Sequence, residues 1–486
     1  MADSRTASMK ILSEIQRVVD IQSKIIYFLL SIIAAGILTY MLYEPAMNEA
    51  QLTVLFVLIL AIGLWVTEAI PPFAVGLMVF GGLIYSMSNY YYKVDPDNVR
   101  EHLVEYVNSW SSSVIWLMLG GFFIAEAMSK TKLDRTVFRM SISKFGTKPK
   151  YILLGLMLTT ALFSMIMSNT ATTAMMIASV MPFINTLDNK SSFSKAILIG
   201  VSGAASIGGM GTLIGSPPNA IAVEALNNHG YAIGFLEWMV VGFPIAIILV
   251  LLFWWALSRR YIPTEKPMII ELEDDSLKPS DPNYRFEKIK RRVVLIVLGV
   301  TLLLWLTEKI HGVPAAMVSF LPIILLTMSA IITGDDVRKL PWDTLMLVAG
   351  GLTLGLAIKD TGLASYYVDK LANFDLNFYL IVIGFAFLTV IMSNIMSNTA
   401  TATILIPISL ILAFDNPVIL PLVIGLSAST ALFLPISTPP NAIAFSTGKL
   451  EQKDFRFGGL FAGLIGPIII TLSVFGLAWL FKMMEL

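Results

Sequence analysis

Apolar stretches the length of a membrane span alternate with short polar segments along nearly the whole chain. Runs near 25–43, 52–69, 72–88, 111–129, 195–226, 236–257, 293–309, 312–333, 342–358, 418–447 and 457–481 can each cross ~30 Å of hydrocarbon as a helix. Two further runs, 151–185 and 376–413, are too long for one span and carry a polar cluster at the centre. Divided there, each half of such a run measures ~26 Å at ~1.5 Å per residue, the length of a hairpin arm that dips in and returns. The pattern predicts an all-α polytopic membrane protein with eleven transmembrane helices and two re-entrant hairpins.

Charge gives this framework an orientation. Of the 33 Lys and Arg, 27 fall in segments that the eleven-span count puts on one side, and only Lys93, Arg100, Lys309, Lys359, Lys370 and Lys482 on the other. Basic residues stay cytoplasmic in short loops, so the expected topology is N-terminus inside and C-terminus outside, in a plasma or inner membrane. Residues 1–24 are polar, of mixed charge and without a cleavage site, unlike a secretory leader. Ile11, Ile15 and Val18, widened by Leu12 and Val19, recur at helical spacing between Lys10, Arg17 and Lys24. They fit either a short amphipathic helix on the cytoplasmic lipid surface or a polar tail.

Composition narrows the function classes. The chain is 56% hydrophobic and 14% charged, with a mean hydropathy of +0.78, against about a quarter charged in a soluble chain, so much of its surface faces lipid. Acidic and basic residues balance at 33 each, which leaves no field to attract nucleic acid. With no cysteine, thiol catalysis, thiolate metal sites and disulfides are excluded. There is no GxxxxGK[ST] loop and no HExxH, and the three histidines stand outside any motif, so nothing suggests an enzyme.

The chain also copies itself. Leu64-Trp65-Val66-Thr67-Glu68 returns as Leu304-Trp305-Leu306-Thr307-Glu308, and Gly120-Gly121 as Gly350-Gly351. Ile166 to Thr172 recurs unchanged as Ile395 to Thr401, and Pro217 to Ala222 as Pro439 to Ala444. The expected organisation is an N-terminal segment 1–24, a first span within 25–50 outside the repeat, repeat 1 over 51–257, a cytoplasmic linker 258–292 and repeat 2 over 293–486. Repeat 1 contains the hairpin 151–185 and a broken helix 195–226; repeat 2 contains the hairpin 376–413 and a broken helix 418–447. Five crossings per copy is an odd number, so the second copy enters from the opposite face. Inverted repeats are a transporter signature, because two equivalent halves can make two oppositely opened states.

Polar chemistry concentrates at four places. Ser168-Asn169-Thr170 and Ser397-Asn398-Thr399 sit at the hairpin turns. A turn at membrane depth frees backbone groups that lipid cannot satisfy, so it must face protein, water or ligand. Hydroxyl and amide donors there suit an anion, helped by the N-terminus of the helix that restarts, and the Asn carbonyl suits a hard cation. Such residues can also simply glue helices together, but two unchanged copies at equivalent turns argue for a ligand. Gly215-Ser216-Pro217-Pro218-Asn219 and Ser437-Thr438-Pro439-Pro440-Asn441 lie mid-span. Tandem prolines break the hydrogen-bond ladder, leaving carbonyls for Na⁺ and a half-helix N-terminus for an anion.

On these four motifs the chain resembles the divalent anion/sodium symporter family, which includes sodium–dicarboxylate and sodium–citrate cotransporters. The resemblance covers almost the whole chain. It implies a homodimer with scaffold and mobile transport domains working as an elevator, and Na⁺-coupled symport of C4-dicarboxylates such as succinate, malate or fumarate. One Na⁺ would be held by Ser164, Asn169 and Gly215, the second by Ser393, Asn398 and Ser437. Substrate carboxylates would meet Ser168, Asn169, Thr170, Ser397, Asn398 and Thr399, flanked by Ser216 and Thr438. None of the four motifs holds Lys, Arg or His, so bound Na⁺ would supply the charge that neutralises a dianion, which couples the two. A dicarboxylate or tricarboxylate exchanger of the same fold and an anion channel are the alternative readings.

Overall fold

The computed structural model describes residues 2–142, 145–187, 191–262, 283–371, 377–412 and 416–483. Every regular element among them is a helix, the one open architecture that satisfies its own backbone without water. The expected N-terminal amphipathic segment is the start of one continuous helix, Ala2–Met41, that runs on into the first span; the side chains before Ile21 lie outside the described residues. Most of the expected linker 258–292 also lies outside them. Among the described residues nine helical stretches are long and apolar enough to cross a membrane. Several expected spans are present as shorter pieces: 312–333 is Ala315–Val318 followed by Phe320–Met328, and 418–447 is divided at its prolines.

The chain folds as two compact units. One comprises Met1–Trp110 and Met346–Leu371, the other Ser111–Leu345 and Ala372–Leu486. In the first, Asn48 and Gln51 cap helix Glu49–Thr67 reciprocally, side chain to backbone, at 2.8 and 3.0 Å. Buried Trp65 then donates its indole N–H to Pro72 O (3.2 Å), fixing the corner into helix Pro72–Val94. That helix crosses the part of Trp342–Asp360 within this unit so closely that a Cβ on Gly350 would run into the backbone of Gly76.

The larger unit repeats both devices with residues of the other copy. Trp305, fully buried, donates to Ala315 O at 3.0 Å. A Cβ on Gly120 would stand 2.6 Å from that of Ser319. The repeated Trp and the first Gly of each repeated pair are thus corner and crossing points, where a larger or differently shaped side chain has no room.

The larger unit also contains both hairpins and both broken helices. The first hairpin is a leading arm Pro149–Ser164 and a return arm Asn169–Thr186; the second is Phe378–Ile395 and Asn398–Ile411. The first broken helix runs Ser192–Gly208, passes through a short 3₁₀ turn at Gly209–Gly211, unwinds, and restarts as Pro217–Asn227. The second runs Ile419–Ser427, turns at Ala428–Thr430 and restarts as Pro439–Ser446. Both restarts place proline at the first helical positions, where its missing N–H costs nothing.

Packing exchanges the copies. Pro217–Asn227 lies against Asn398–Ile411 and Ile419–Ser427, and Pro439–Ser446 lies against Asn169–Thr186 and Ser192–Gly208. Ile419–Ser427 is buried at every residue and Ser192–Gly208 at nearly every one, so both halves that lead into the breaks run through the centre of this unit. Helices Phe235–Tyr261 and Gln452–Met483 pack outside them. Each of those two begins with a carboxylate that caps its own start and takes a lysine: Glu237 accepts from Gly234 N (3.0 Å) and pairs with Lys309 (2.6 Å), and Asp454 accepts from Glu451 N (2.8 Å) and pairs with Lys195 (2.8 Å).

Candidate functional site

The turn of the first hairpin is built by a cap. Ser168 takes an extended conformation and its hydroxyl accepts from Ala171 N (3.2 Å), so the return arm starts at Asn169 with free N–H groups at its first turn. Ser397 does the same for the second hairpin, accepting from Ala400 N at 3.1 Å. Ser168, Asn169, Ser397, Asn398 and Thr399 are half-buried and Thr170 is exposed. Ser216 and Thr438, the residues before the restarting half-helices, are 2% and 3% exposed. The copies diverge here: Thr438 Oγ1 accepts from Asn441 N (3.3 Å), whereas Ser216 makes no such cap.

In the first copy Ser164, Asn169 and Gly215 converge on one point. Ser164, fully buried, lies 2.6 Å from the Asn169 side-chain amide and 2.7 Å from Ala205 O through its hydroxyl. The same amide atom stands 3.1 Å from Ala205 O and 3.2 Å from Gly215 O. Placed as nitrogen, that atom donates to a ring of acceptors. Placed as oxygen, it completes a set of oxygens that share only the single Ser164 hydroxyl proton, an arrangement that a cation stabilises. Gly215 is required by space: a Cβ there would meet Gly209 O at 2.5 Å and Ser164 O at 2.9 Å. The donor set is therefore hydroxyl, amide and backbone carbonyl, the ligands of a hard monovalent or divalent ion, with no carboxylate among them.

The unwound segment that supplies these carbonyls is itself held. Asn219 donates from Nδ2 to Gly209 O (2.9 Å) and Thr212 O (2.7 Å). Thr212 Oγ1 donates to Met165 O and accepts from Gly215 N (3.1 Å), and Trp238 Nε1 donates to Met210 O (2.9 Å). In the second copy Asn441 plays the part of Asn219, donating to Leu432 O (3.1 Å) and Leu434 O (3.0 Å).

The second set is arranged differently. Ser393 Oγ and Asn398 Oδ1 are buried with no hydrogen-bond partner among the described residues, two uncharged oxygens with lone pairs free to accept or to ligate. Ser437 is contacted from the hairpin by Asn394. Asn219, Asn441, Thr212 and Asn394 hold the unwound segments, and motif reading missed them as individuals. The two Pro-Pro-Asn repeats contained a signal for the first pair. Asn394 had none, because Met165 stands at its place in the first copy.

Duplicated helical hairpins and broken helices, interlocked in one apolar unit around clustered uncharged oxygens, define a helical membrane transporter. Comparison with known proteins says which. The profile of the CitMHS family, described as citrate transporter, matches residues 62–416, and the chain belongs to that family. It is 30% identical over 473 residues to the sodium-dependent dicarboxylate transporter SdcS of Staphylococcus saprophyticus, covering 90% of this chain and 88% of that one. It is 31% identical over 450 residues to SdcS of Staphylococcus aureus strain USA300, covering 85% and 83%. Among solved structures, the YdaH transporter of Alcanivorax borkumensis shares the fold with a TM-score of 0.57 at 12% identity, covering 83% of this chain and 98% of that one. MtrF of Neisseria gonorrhoeae does so at 0.51 and 12%, covering 83% and 94%.

Proposed function

We propose that this protein is a secondary active transporter that couples Na⁺ to the symport of C4-dicarboxylates such as succinate, malate and fumarate. The observation that carries the reading is the oxygen cluster of Ser164, Asn169, Ala205, Gly209 and Gly215, with an amide atom facing carbonyls. The unpartnered Ser393 Oγ and Asn398 Oδ1 of the second copy repeat its character. Uncharged oxygens hold Na⁺, and the capped turns at Ser168 and Ser397 offer N–H groups and hydroxyls to carboxylates. No motif residue is cationic, so the ion is the counter-charge of the substrate, and each binds better in the presence of the other.

Sodium-dependent dicarboxylate transport is the activity for which the SdcS relatives are named, and it supports this choice of ion and substrate. The rest of the reading keeps Thr170, Thr399, Ser216 and Thr438 at the substrate and Ser437 at the second ion. It assigns eleven crossings with two re-entrant hairpins, a cytoplasmic N-terminus and an external C-terminus, supported by the distribution of Lys and Arg. It also assigns a homodimer whose two inverted repeats drive an elevator movement, which rests on the resemblance. Purified protein in liposomes tests the activity: Na⁺ outside drives succinate into empty, Na⁺-free vesicles. Uptake only into vesicles preloaded with carboxylate would replace symport by exchange, and current that does not saturate would replace it by a channel.

A further inference from the structure

Asn394 lies in the last turn of the leading arm of the second hairpin, Phe378–Ile395. Its Nδ2 donates to Val390 O at 2.8 Å. Its Oδ1 accepts from Phe433 N at 2.9 Å and from Ser437 Oγ at 2.9 Å. The backbone N–H of Phe433 can only donate, so the orientation of the amide is determined by chemistry. One side chain therefore ties the hairpin tip to both ends of the unwound segment 431–438. Among the described residues the first copy has no side-chain amide in this role. There the position is Met165, whose side chain packs where Gly211 lacks a Cβ, and the tie runs the other way, from Thr212 Oγ1 to the Met165 backbone.

Position 433 matches Gly211 just as 394 matches Met165, so the two positions have changed together: large with glycine in one copy, amide with phenylalanine in the other. Ser437 makes the tie consequential. Its hydroxyl accepts from Leu434 N (2.8 Å) and has a single proton with two acceptors, Asn394 Oδ1 and Leu434 O, each 2.9 Å away. With the proton on the Asn394 side, Asn394 aims the Ser437 lone pairs; with it on Leu434 O, Asn394 still holds the segment through Phe433 N.

We infer that Asn394 is a positioning residue for the second cation site, and that the two copies hold their ions by different means, a backbone tie in the first and a side-chain amide in the second. This rests on the Na⁺ reading above and deepens it, since it makes the second site the one that a single side-chain change can weaken selectively. A hairpin tip freed from the loop must be ordered again each time an ion binds, so the cost falls on Na⁺ affinity and leaves the loaded transporter intact.

The test is the Na⁺ dependence of two properties of the purified protein, succinate uptake in liposomes and thermal stability in detergent with NaCl against choline chloride. Asn394→Leu keeps the size and removes all three hydrogen bonds. The expected result is a roughly tenfold higher Na⁺ midpoint, with maximal uptake at saturating Na⁺ within about twofold of wild type. Asn394→Asp keeps both accepting contacts and is expected to restore the midpoint to within about threefold. Asn394→Ala, which removes the same three hydrogen bonds with a smaller side chain, stands in if Asn394→Leu fails to fold, with the same direction expected. A Na⁺ midpoint unchanged in Asn394→Leu, or in Asn394→Ala where that variant replaces it, overturns the inference and leaves the symporter reading intact, as does a lowered maximal rate with an unshifted midpoint. A wild-type protein whose uptake and stability ignore Na⁺ overturns both.

Discussion

Asn169 shows how much one side chain carries. Its amide touches Ser164 and faces two carbonyls, while its own position opens the return arm of the hairpin. On the proposed reading Asn169→Ala removes a cation ligand and a carboxylate contact together, and Asn398→Ala does so in the second copy. Each is expected to lower Na⁺-driven succinate uptake by a factor of ten or more, since a contact to a charged partner contributes about 1.5–3 kcal/mol. Uptake rates at matched expression check this, and near-normal rates would remove these turns from the site. Thr438 tests the substrate side. Its hydroxyl caps the restarting half-helix and is buried, so Thr438→Ala is expected to reorder affinities among succinate, citrate and sulfate. Competition with labelled succinate reads the ranking, and an unaltered ranking would put this position beyond the substrate's reach.

At the scale of elements, glycines separate ion binding from assembly. A Cβ at Gly215 would meet Gly209 O at 2.5 Å inside the oxygen cluster. Overpacking of this kind costs ~1–3 kcal/mol, and here it moves a carbonyl of the site. Gly215→Ala should raise the Na⁺ midpoint of uptake. Gly350→Ala should act differently, because its Cβ strikes the Gly76 backbone at a helix crossing distant from any of the site motifs in sequence. That variant is expected to lose thermal stability and keep the Na⁺ midpoint of whatever protein folds. Paired melting and uptake measurements distinguish the two, and a shared effect would mean that crossing and site are one mechanical element.

For the whole molecule the measurable quantity is charge moved per cycle. Two Na⁺ with a dianion are electroneutral, whereas a third Na⁺ moves one net charge, worth ~2.3 kcal/mol per 100 mV. At ~1.4 kcal/mol per decade this multiplies the attainable concentration ratio by roughly forty. The expectation is that a negative-inside potential accelerates Na⁺-driven uptake into empty liposomes. Rates measured with valinomycin and K⁺ gradients of both signs check it, and insensitivity to potential would leave two ions per dianion.

The hairpin turns and helix breaks were legible in the sequence for a physical reason. Backbone interruption inside apolar segments needs Ser, Asn and Pro at the interruption, and duplication printed each signal twice. The family was legible on the same motifs. What packs against what was decided by the tertiary structure. Only there does Pro217–Asn227 meet the second hairpin, and Pro439–Ser446 the first, because the elements are far apart in the chain and apolar faces carry no address. Ala205 entered the oxygen cluster through a backbone carbonyl, which every residue possesses and no side-chain pattern marks. Asn394 stayed hidden because the first copy has Met165 at that position, so no repeat marks it. Motifs therefore specified which residues interrupt the helices, and three-dimensional packing specified which oxygens those interruptions bring face to face.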